Sequence, residues 1–508
     1  MSLRLRATAV ATTVLALAAA GTLPGGWSAL AGTPPAVSAG LTVSPLPGAD
    51  PLAVTLHATA ADAGGTGTPE GVSYTFDFGD GSAPLVTSSP TVDHTYPAAG
   101  TYHPTVTATD ASGTSAPAHL NGGRMVLGSG FVPLPSTRIL DTRAGVGVGG
   151  DRPVPSYGSL TVPVAGRGGI PATGATDYVL NITVTGGTAS GYLKVDLNGE
   201  GSNINWAPGQ TIAAQVTVPA GDGALHIGNW SVGSVHIVAD VQGYYSAAHG
   251  YRYQPVYATR ILDTRAKKGV PTTTAVPAGG SVTIAVPLAA NAPKDPQAVV
   301  LNVTATGSSR AGYVTAYGAG DARPAVSSVN WAAGATVANL VTVPAAGGRV
   351  TFVNHGPAPV HLVADLNGYF AAAATTSYRN ASPWRLLDTR YGYGTAVVAP
   401  APPGGDIRMA NPLHTPEPEP EQAALLLHVT VTRPTAAGTL LPFDGSYYAP
   451  PLNASVLNWA KGQTISNTIA LAHTARTLDE VHFRNSSSGS TDLVVDLVGF
   501  FDTLTPPA

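Results

Sequence analysis

Hydrophobic and polar positions alternate with a period of two through much of the chain. The alternating runs are short, and each is closed by glycine, proline, asparagine or aspartate. Tyr74–Phe78 puts Tyr74, Phe76 and Phe78 on one face of a strand, and Gly79-Asp80-Gly81-Ser82 follows as a tight turn. Thr101–Asp110 alternates again, with Tyr102, Val106 and Ala108 on a shared face. Pro104 inside that run predicts an edge position or a bulge, because proline cannot donate to the ladder. Further on, strands are predicted at Leu160–Val164, Tyr178–Val184, Tyr192–Leu197, Thr211–Val218, Leu225–Ile227 and Val235–Val241. In the last, Val235, Ile237, Ala239, Val241 and Tyr245 form the core side. His236, Val238, Asp240, Gln242 and Tyr244 face the other way.

These strands belong to a unit that recurs. Arg138-Ile139-Leu140-Asp141-Thr142-Arg143 returns as Arg260-Ile261-Leu262-Asp263-Thr264-Arg265 and as Arg385-Leu386-Leu387-Asp388-Thr389-Arg390. Asn205-Trp206, Asn330-Trp331 and Asn458-Trp459 keep step, and each copy closes on a phrase like Val238-Ala239-Asp240-Val241-Gln242-Gly243-Tyr244-Tyr245. Three copies therefore occupy 131–246, 253–371 and 378–502. Seven or eight short strands per copy predict one jelly-roll-like β-sandwich each, preferred over a single trefoil or propeller because each copy is long enough for its own core. Ser112 to Gly130 and Ala371 to Thr376 read as small-residue linkers, and Pro412 to Gln422 as an acidic, proline-stiffened surface loop.

Phe76-Asp77-Phe78-Gly79-Asp80-Gly81, His94-Thr95-Tyr96 and Gly100-Thr101-Tyr102 resemble the PKD family, with Phe76 standing where that family usually has Trp. The resemblance covers 40–115. It implies an immunoglobulin-like sandwich in an extracellular protein, acting as a spacer or binding unit. The expected fold class is therefore all-β: a PKD sandwich followed by three homologous sandwich modules. Asp77, Asp80 and Asp110 read as turn caps rather than as Ca²⁺ ligands, since no liganding loop accompanies them. The Arg-Ile-Leu-Asp-Thr-Arg unit resembles repeats in secreted and surface proteins of actinobacteria, which implies a location rather than a chemistry.

Composition sharpens the setting. Charged residues are 11% of the 508, while glycine (60) and proline (44) are abundant, which excludes a coiled coil, a charged disordered chain and a helical bundle. Met1–Ala31 has the form of a secretory signal: Arg4 and Arg6, then an uncharged run from Ala7 to Ala20, then Ala29-Leu30-Ala31, with Val37-Ser38-Ala39 as a second cleavage site. The run is too short to span a bilayer. Removing this segment moves the formal charge from -4 to -6, because only Arg4 and Arg6 leave with it. Nucleic acid is therefore not an expected partner. The sequence predicts a secreted or extracellular protein, free or held non-covalently at the envelope.

Chemistry has few candidates. Cysteine is absent, which excludes disulfides and thiol nucleophiles. There is no nucleophile elbow, zinc-protease helix or phosphate loop, so neither a cofactor nor a metal is expected and the chain reads as a non-enzyme. The candidate binding residues are Arg138, Asp141, Arg143 and Trp206; Arg260, Asp263, Arg265 and Trp331; and Arg385, Asp388, Arg390 and Trp459. Paired guanidiniums grip carboxylates or sugar hydroxyls, and an indole offers a stacking face. The same residues also suit a structural latch, Arg138 and Arg143 pairing with Asp141 or Asp240, with each Trp buried between sheets. The leading function is contact with cell-envelope or extracellular polysaccharide, or with other surface proteins. The alternatives are a structural spacer or surface-assembly element, and an unrecognised sandwich hydrolase.

Overall fold

The computed structural model describes residues 37–62, 69–195, 201–290, 292–395, 397–410, 422–444, 454–472 and 480–505. The export segment 1–31 and the proline-rich stretch from Pro412 to Glu421 lie outside them. The described residues are almost wholly β.

The N-terminal unit packs two sheets. Val37–Pro45, Ala53–Asp62 and Thr91–Thr95 form one; Leu85–Thr87, Ser73–Asp77 and Thr105–Asp110 form the other. Tyr74, Phe76, Phe78, Val106 and Ala108 are buried between them, as their alternation requires. Pro104 has a larger effect than an edge or a bulge. The chain breaks there and changes sheet, Gly100–Tyr102 pairing with Met125–Leu127 and Thr105–Asp110 with Ser73–Asp77. Gly79 takes φ 70°, and a Cβ there would meet the His103 carbonyl oxygen at 2.8 Å, so only glycine fits the turn. Asp77, Asp80 and Asp110 each accept a backbone N–H two residues on, capping their own turns.

The expected linker 112–130 is instead part of this unit. Met125 and Leu127 are buried in its core, held by the ladder to Gly100–Tyr102. Leu504 from the far end of the chain joins the same core, and its carbonyl accepts the Val126 N–H.

Each repeat is built from eight strands. In the first they are β1 (Gly130–Asp141), β2 (Ser159–Pro163), β3 (Asp177–Thr185), β4 (Gly191–Val195), β5 (Ile204–Trp206), β6 (Ile212–Pro219), β7 (Ala224–Ser231) and β8 (His236–Ser246). One sheet runs β1-β8-β3-β6 and the other β2-β7-β4-β5, the strand order of a jelly roll. The second and third repeats, which open at Arg252–Asp263 and Ser377–Asp388, have the same two orders. A buried asparagine pins each sandwich: the Asn229 side-chain amide donates to the carbonyls of Val154, Pro155 and Gly233, and Asn354 and Asn485 do the same in their own repeats.

The closing strand departs from strict alternation. A bulge near Gln242–Gly243 shifts the register on both neighbours, Val179 pairing with Gly243 but Leu180 with Val241. The extra residue reverses the parity, so Tyr244 joins the sandwich core and Tyr245 points the other way.

The three sandwiches do not hang as beads. Phe131, Tyr245, Tyr253, Phe370, Tyr378 and Phe501, two from each repeat, form one buried aromatic cluster; Tyr245 and Tyr378 stack at 3.9 Å. Short backbone bridges tie the starts of the opening strands together: Phe131 with Tyr251, Tyr253 with Thr376, and Ser129 with Tyr378. Side chains then close a ring. Asn181 donates to the Ser327 carbonyl at 2.6 Å and Asn302 to the Ser455 carbonyl at 2.9 Å, and Thr468 returns a bond to the Gln215 carbonyl at 2.6 Å. First contacts second, second contacts third, and third contacts first, so the repeats surround a pseudo-three-fold axis. The supposed linker 371–376 lies inside this assembly, with Ala371, Ala374 and Thr376 buried.

Candidate functional site

The repeated Arg-x-x-Asp-x-Arg segment sits at the end of β1, against β8. Arg138 Nε and Nη2 donate to the two carboxylate oxygens of Asp240 at 2.9 and 3.4 Å, and Nη1 reaches Asp141 at 3.2 Å. Arg143 grips both oxygens of Asp141 at 2.9 and 2.7 Å. Arg260 and Arg265 repeat this on Asp365 and Asp263, and Arg385 and Arg390 on Asp496 and Asp388. Burial pushes the Asp240 and Asp365 carboxyls up, against the opposing pull of Arg138 and Arg260. The Arg143 and Arg265 hydrogen bonds hold Asp141 and Asp263 below the usual carboxylate range. The motif threonine joins in: Thr142 Oγ1 accepts the Ile237 N–H and meets His236 Nδ1. Thr264 meets His361 likewise, and Thr389 donates to Asp492. The unequal residues at this position of β8 thus share one partner.

The motif is therefore a latch between first and last strands, but it is not sealed inside. Arg138 is mostly covered, whereas the side chains of Arg143, Arg265 and Arg390 remain 48%, 49% and 32% exposed. Arg265 and Arg390 face grooves between neighbouring repeats. One groove of about 720 Å³ joins Arg260, Asp263, Arg265, Thr304, Thr306 and Thr336 of the second repeat to Thr439, Ser455, Asn458 and Ser486 of the third. Another, of about 250 Å³, joins Arg385, Arg390, Thr430, Thr432 and Thr464 of the third repeat to Tyr192, Lys194, Ser202 and Asn205 of the first. Each groove takes an Arg/Asp latch and a row of threonine hydroxyls from one repeat, and Ser/Asn side chains from the next. Such a trough offers guanidinium and hydroxyl donors beside fixed carboxylate acceptors. The described residues that line it include no nucleophile–base pair.

The tryptophans are placed otherwise than a stacking face demands. Trp206, Trp331 and Trp459 are 2%, 3% and 4% exposed. Their indole N–H groups donate inward to the carbonyls of Ala189, Arg310 and Ala436 at 2.8, 3.0 and 3.0 Å. Gly191, Gly312 and Gly438 lie directly across the ladder, and a Cβ on any of them would meet the indole at 2.9 Å or less. These are packing residues, and no sugar reaches them.

Among the described residues two other indoles are exposed, Trp384 at 46% and Trp230. Trp230, 44% exposed, stands on the outer face of β7 directly opposite Tyr192 on β4. The two rings are parallel to within 5° at 6.1 Å, and Lys194 Nζ lies 5.1 Å from the Trp230 ring centroid. The period-two pattern carried this signal: Leu225 and Ile227 point inward, which turns His226, Gly228 and Trp230 outward.

The geometry defines an all-β chain of a capping sandwich and three jelly rolls. Residues 38–119 match the PKD domain family. Among solved structures, a carbohydrate-binding module of the β-sandwich superfamily shares 16% identity over 42% of this chain and 97% of its own, with a TM-score of 0.15. A triple jelly-roll protein of an archaeal virus turret shares 10% over 74% and 91%, also at 0.15. A Bacteroides ovatus protein of a mixed-linkage glucan utilization locus, SGBP-B, shares 10% over 88% and 93% at 0.13. At such scores the likenesses carry no argument about what this chain binds. No curated protein matches it.

Proposed function

We propose that the mature chain is a secreted, non-catalytic binding or adhesion protein that contacts cell-envelope or extracellular polysaccharide through the grooves between its repeats. The observation that carries this reading is the exposed guanidinium that recurs in every repeat, Arg143, Arg265 and Arg390, the latter two lining grooves beside rows of threonines. Guanidinium, hydroxyl and carboxylate groups in one trough match the donors and acceptors of a sugar chain. Three weak sites fixed on one body raise avidity on a repetitive polymer by ~10²–10⁴ where the spacing suits. The resemblance of the Arg-x-Leu-Asp-Thr-Arg unit to secreted actinobacterial repeats fits the export segment. Cleavage after Ala31 fits better than after Ala39, because the latter would cut Val37 out of the buried N-terminal strand.

The test is retention of residues 32–508 on insoluble cell-wall glycans and whole envelopes. The Arg143→Ala, Arg265→Ala, Arg390→Ala triple variant is expected to elute early while remaining folded. No retention of the unaltered chain on any envelope fraction would sink the reading. One observation favours a second reading, that of an assembly or spacer element: the sealed aromatic axis makes the repeats one rigid block. Ordered self-assembly without glycan retention would select it.

A further inference from the structure

The walls that face the Arg/Asp latches differ in bulk. On the outer face of the first repeat Tyr192 stands directly across the ladder from Trp230, and in the second repeat Tyr313 stands at the matching place beside His355. Both are parallel ring pairs, at 6.1 and 4.6 Å. The third repeat sets Thr439 opposite Ser486 instead. Tyr192 lines the groove between third and first repeats, whereas Thr439 and Ser486 both line the groove between second and third. The latch walls of these two grooves match, with Arg260, Arg265 and Thr306 in one and Arg385, Arg390 and Thr432 in the other. With small side chains where the first repeat has rings, the second–third groove holds about 720 Å³, against about 250 Å³ for the third–first groove. Ligand clefts run from about 300 to 1,000 Å³. The wider groove falls inside that range and the narrower one below it.

The described residues that line the wider groove offer hydrogen bonds and include no aromatic ring. Arg265, with 49% of its side chain exposed, lines it together with Thr306 and Thr336. Those two hydroxyls bond to each other at 2.6 Å, which leaves one of their two protons to donate outward. On the facing wall Ser486 is exposed and Thr439 half-buried. The latch charges pair off, Arg260 and Arg265 against Asp365 and Asp263. Exposed Lys267 and Lys268 follow on the turn just beyond Ala266, so a neutral or an anionic chain meets no repulsion there. Resting on the glycan-binding reading above, we propose that the groove between the second and third repeats is the principal glycan site, and that the ring pair of the first repeat narrows the third–first groove against the same ligand. A sugar chain would lie along the wider groove and be held through its hydroxyls, by Arg265 and Thr306 on one side and by Thr439 and Ser486 on the other.

The test moves the ring pair. Thr439→Tyr with Ser486→Trp copies the first repeat's pair into the third and should fill the wider groove. Tyr192→Thr with Trp230→Ser does the reverse and should open the narrower one. Each exchange takes residues that a sister repeat already carries at those positions, so circular dichroism should be unchanged. The mature chain and both double variants are compared by affinity electrophoresis in gels containing xylan, dextran, polygalacturonate or alginate, two neutral and two acidic polymers, and by retention on whole envelopes. With the polymer that retards the unaltered chain most, filling should weaken retardation about tenfold or more, and opening should strengthen it. Arg265→Ala should weaken it more than Arg390→Ala does. Retardation that filling leaves unchanged overturns the proposal, as does an opened variant that binds no better than the unaltered chain. Envelope retention that survives filling overturns this groove assignment and leaves the general reading standing. Failure of the unaltered chain to bind any polymer or envelope overturns both.

Discussion

Asp177→Asn should stabilise the protein at neutral pH. Asp177 opens β3 and lies against the axis, where its carboxylate accepts the Asn380 side-chain amide of the third repeat and sits beside Tyr245 and Tyr378. The matching residues are Ala298 and Ala424, each paired with the closing aromatic of its own repeat. Burial raises Asp177 from 3.8 to about 6, against the lowering pull of Asn380 and Thr176. The folded value exceeds the unfolded one. Stability is therefore fullest below pH 3.8, falls as pH rises toward 6, and stays low above it. The difference corresponds to about 3 kcal/mol. Asparagine keeps an oxygen for Asn380 and carries no charge, so it should recover most of that at pH 7 and under ~1 kcal/mol near pH 4.

His428 slopes the other way. It stands where the sister repeats have Asn181 and Asn302, fully buried, and burial lowers it from 6.5 to about 4. Its contribution is present above pH 6.5 and is lost as pH falls toward 4, again by about 3 kcal/mol. The two slopes overlap between pH 4 and 6, so the unaltered chain should vary little there. Asp177→Asn should unmask loss of stability on acidification, and His428→Asn should unmask loss on going from pH 4 to 6. Guanidinium unfolding followed by tryptophan fluorescence, at half-unit steps from pH 4 to 7, measures this. An Asp177→Asn gain equal at pH 4 and pH 7 would refute the argument, because the gain would then come from packing and not from charge.

Four further outcomes are expected. Arg138→Ala should destabilise by about 3–5 kcal/mol in chemical denaturation by leaving the buried Asp240 carboxylate unpaired, whereas Arg143→Ala, at an exposed guanidinium, should cost about 1 kcal/mol or less. Trp331→Ala should cost about 3–5 kcal/mol through the cavity it leaves, and glycan retention of the folded fraction should persist. Arg252, 1% exposed and held to about 10 by burial, donates to the carbonyls of Leu46, Pro51 and Ala53, so Arg252→Ala should loosen the PKD unit and expose it to limited proteolysis before the repeats. The second repeat expressed alone (253–371) should self-associate in sedimentation, because Tyr253, Leu340 and Phe370 lose their cover.

Local rules carried the strands because each sandwich has one buried face per strand and the alternation records it. The same rules stopped at the axis. One face of β8 carries His236, Asp240 and Gln242 and so reads as solvent-facing, yet Asp240 and Gln242 are buried, and the bulge at Gln242–Gly243 inverts the parity where Tyr245 turns outward. Nothing in the local pattern singles out Asn181, Asn339 and Asn467, whose amides bond across repeats. Ser112 to Gly130 has the composition of a linker, but Met125 and Leu127 supply a ladder and two core side chains. At the site, the repeated Arg and Asp stood out because charge is scarce here. The buried tryptophans stood out for the opposite reason: repetition marks what every copy needs, and every copy needs its core. Trp230 occurs in one copy only, which is why a search by repetition passes over it.

That contrast bears on how the three copies have come to differ. A groove whose walls come from two repeats cannot be altered singly in a symmetric trimer of identical chains; one substitution there changes all three. In a tandem chain each wall varies alone. The latch side has stayed uniform, since Arg138, Arg260 and Arg385 each tie the first strand to the last and their loss would strand a buried carboxylate. The facing wall varies more: Tyr192, Tyr313 and Thr439 stand at one position of it, and Lys194, the buried Thr315 and Leu441 at another. The first two repeats keep a parallel ring pair on that wall, Tyr192 with Trp230 and Tyr313 with His355, whereas the third sets Thr439 opposite Ser486.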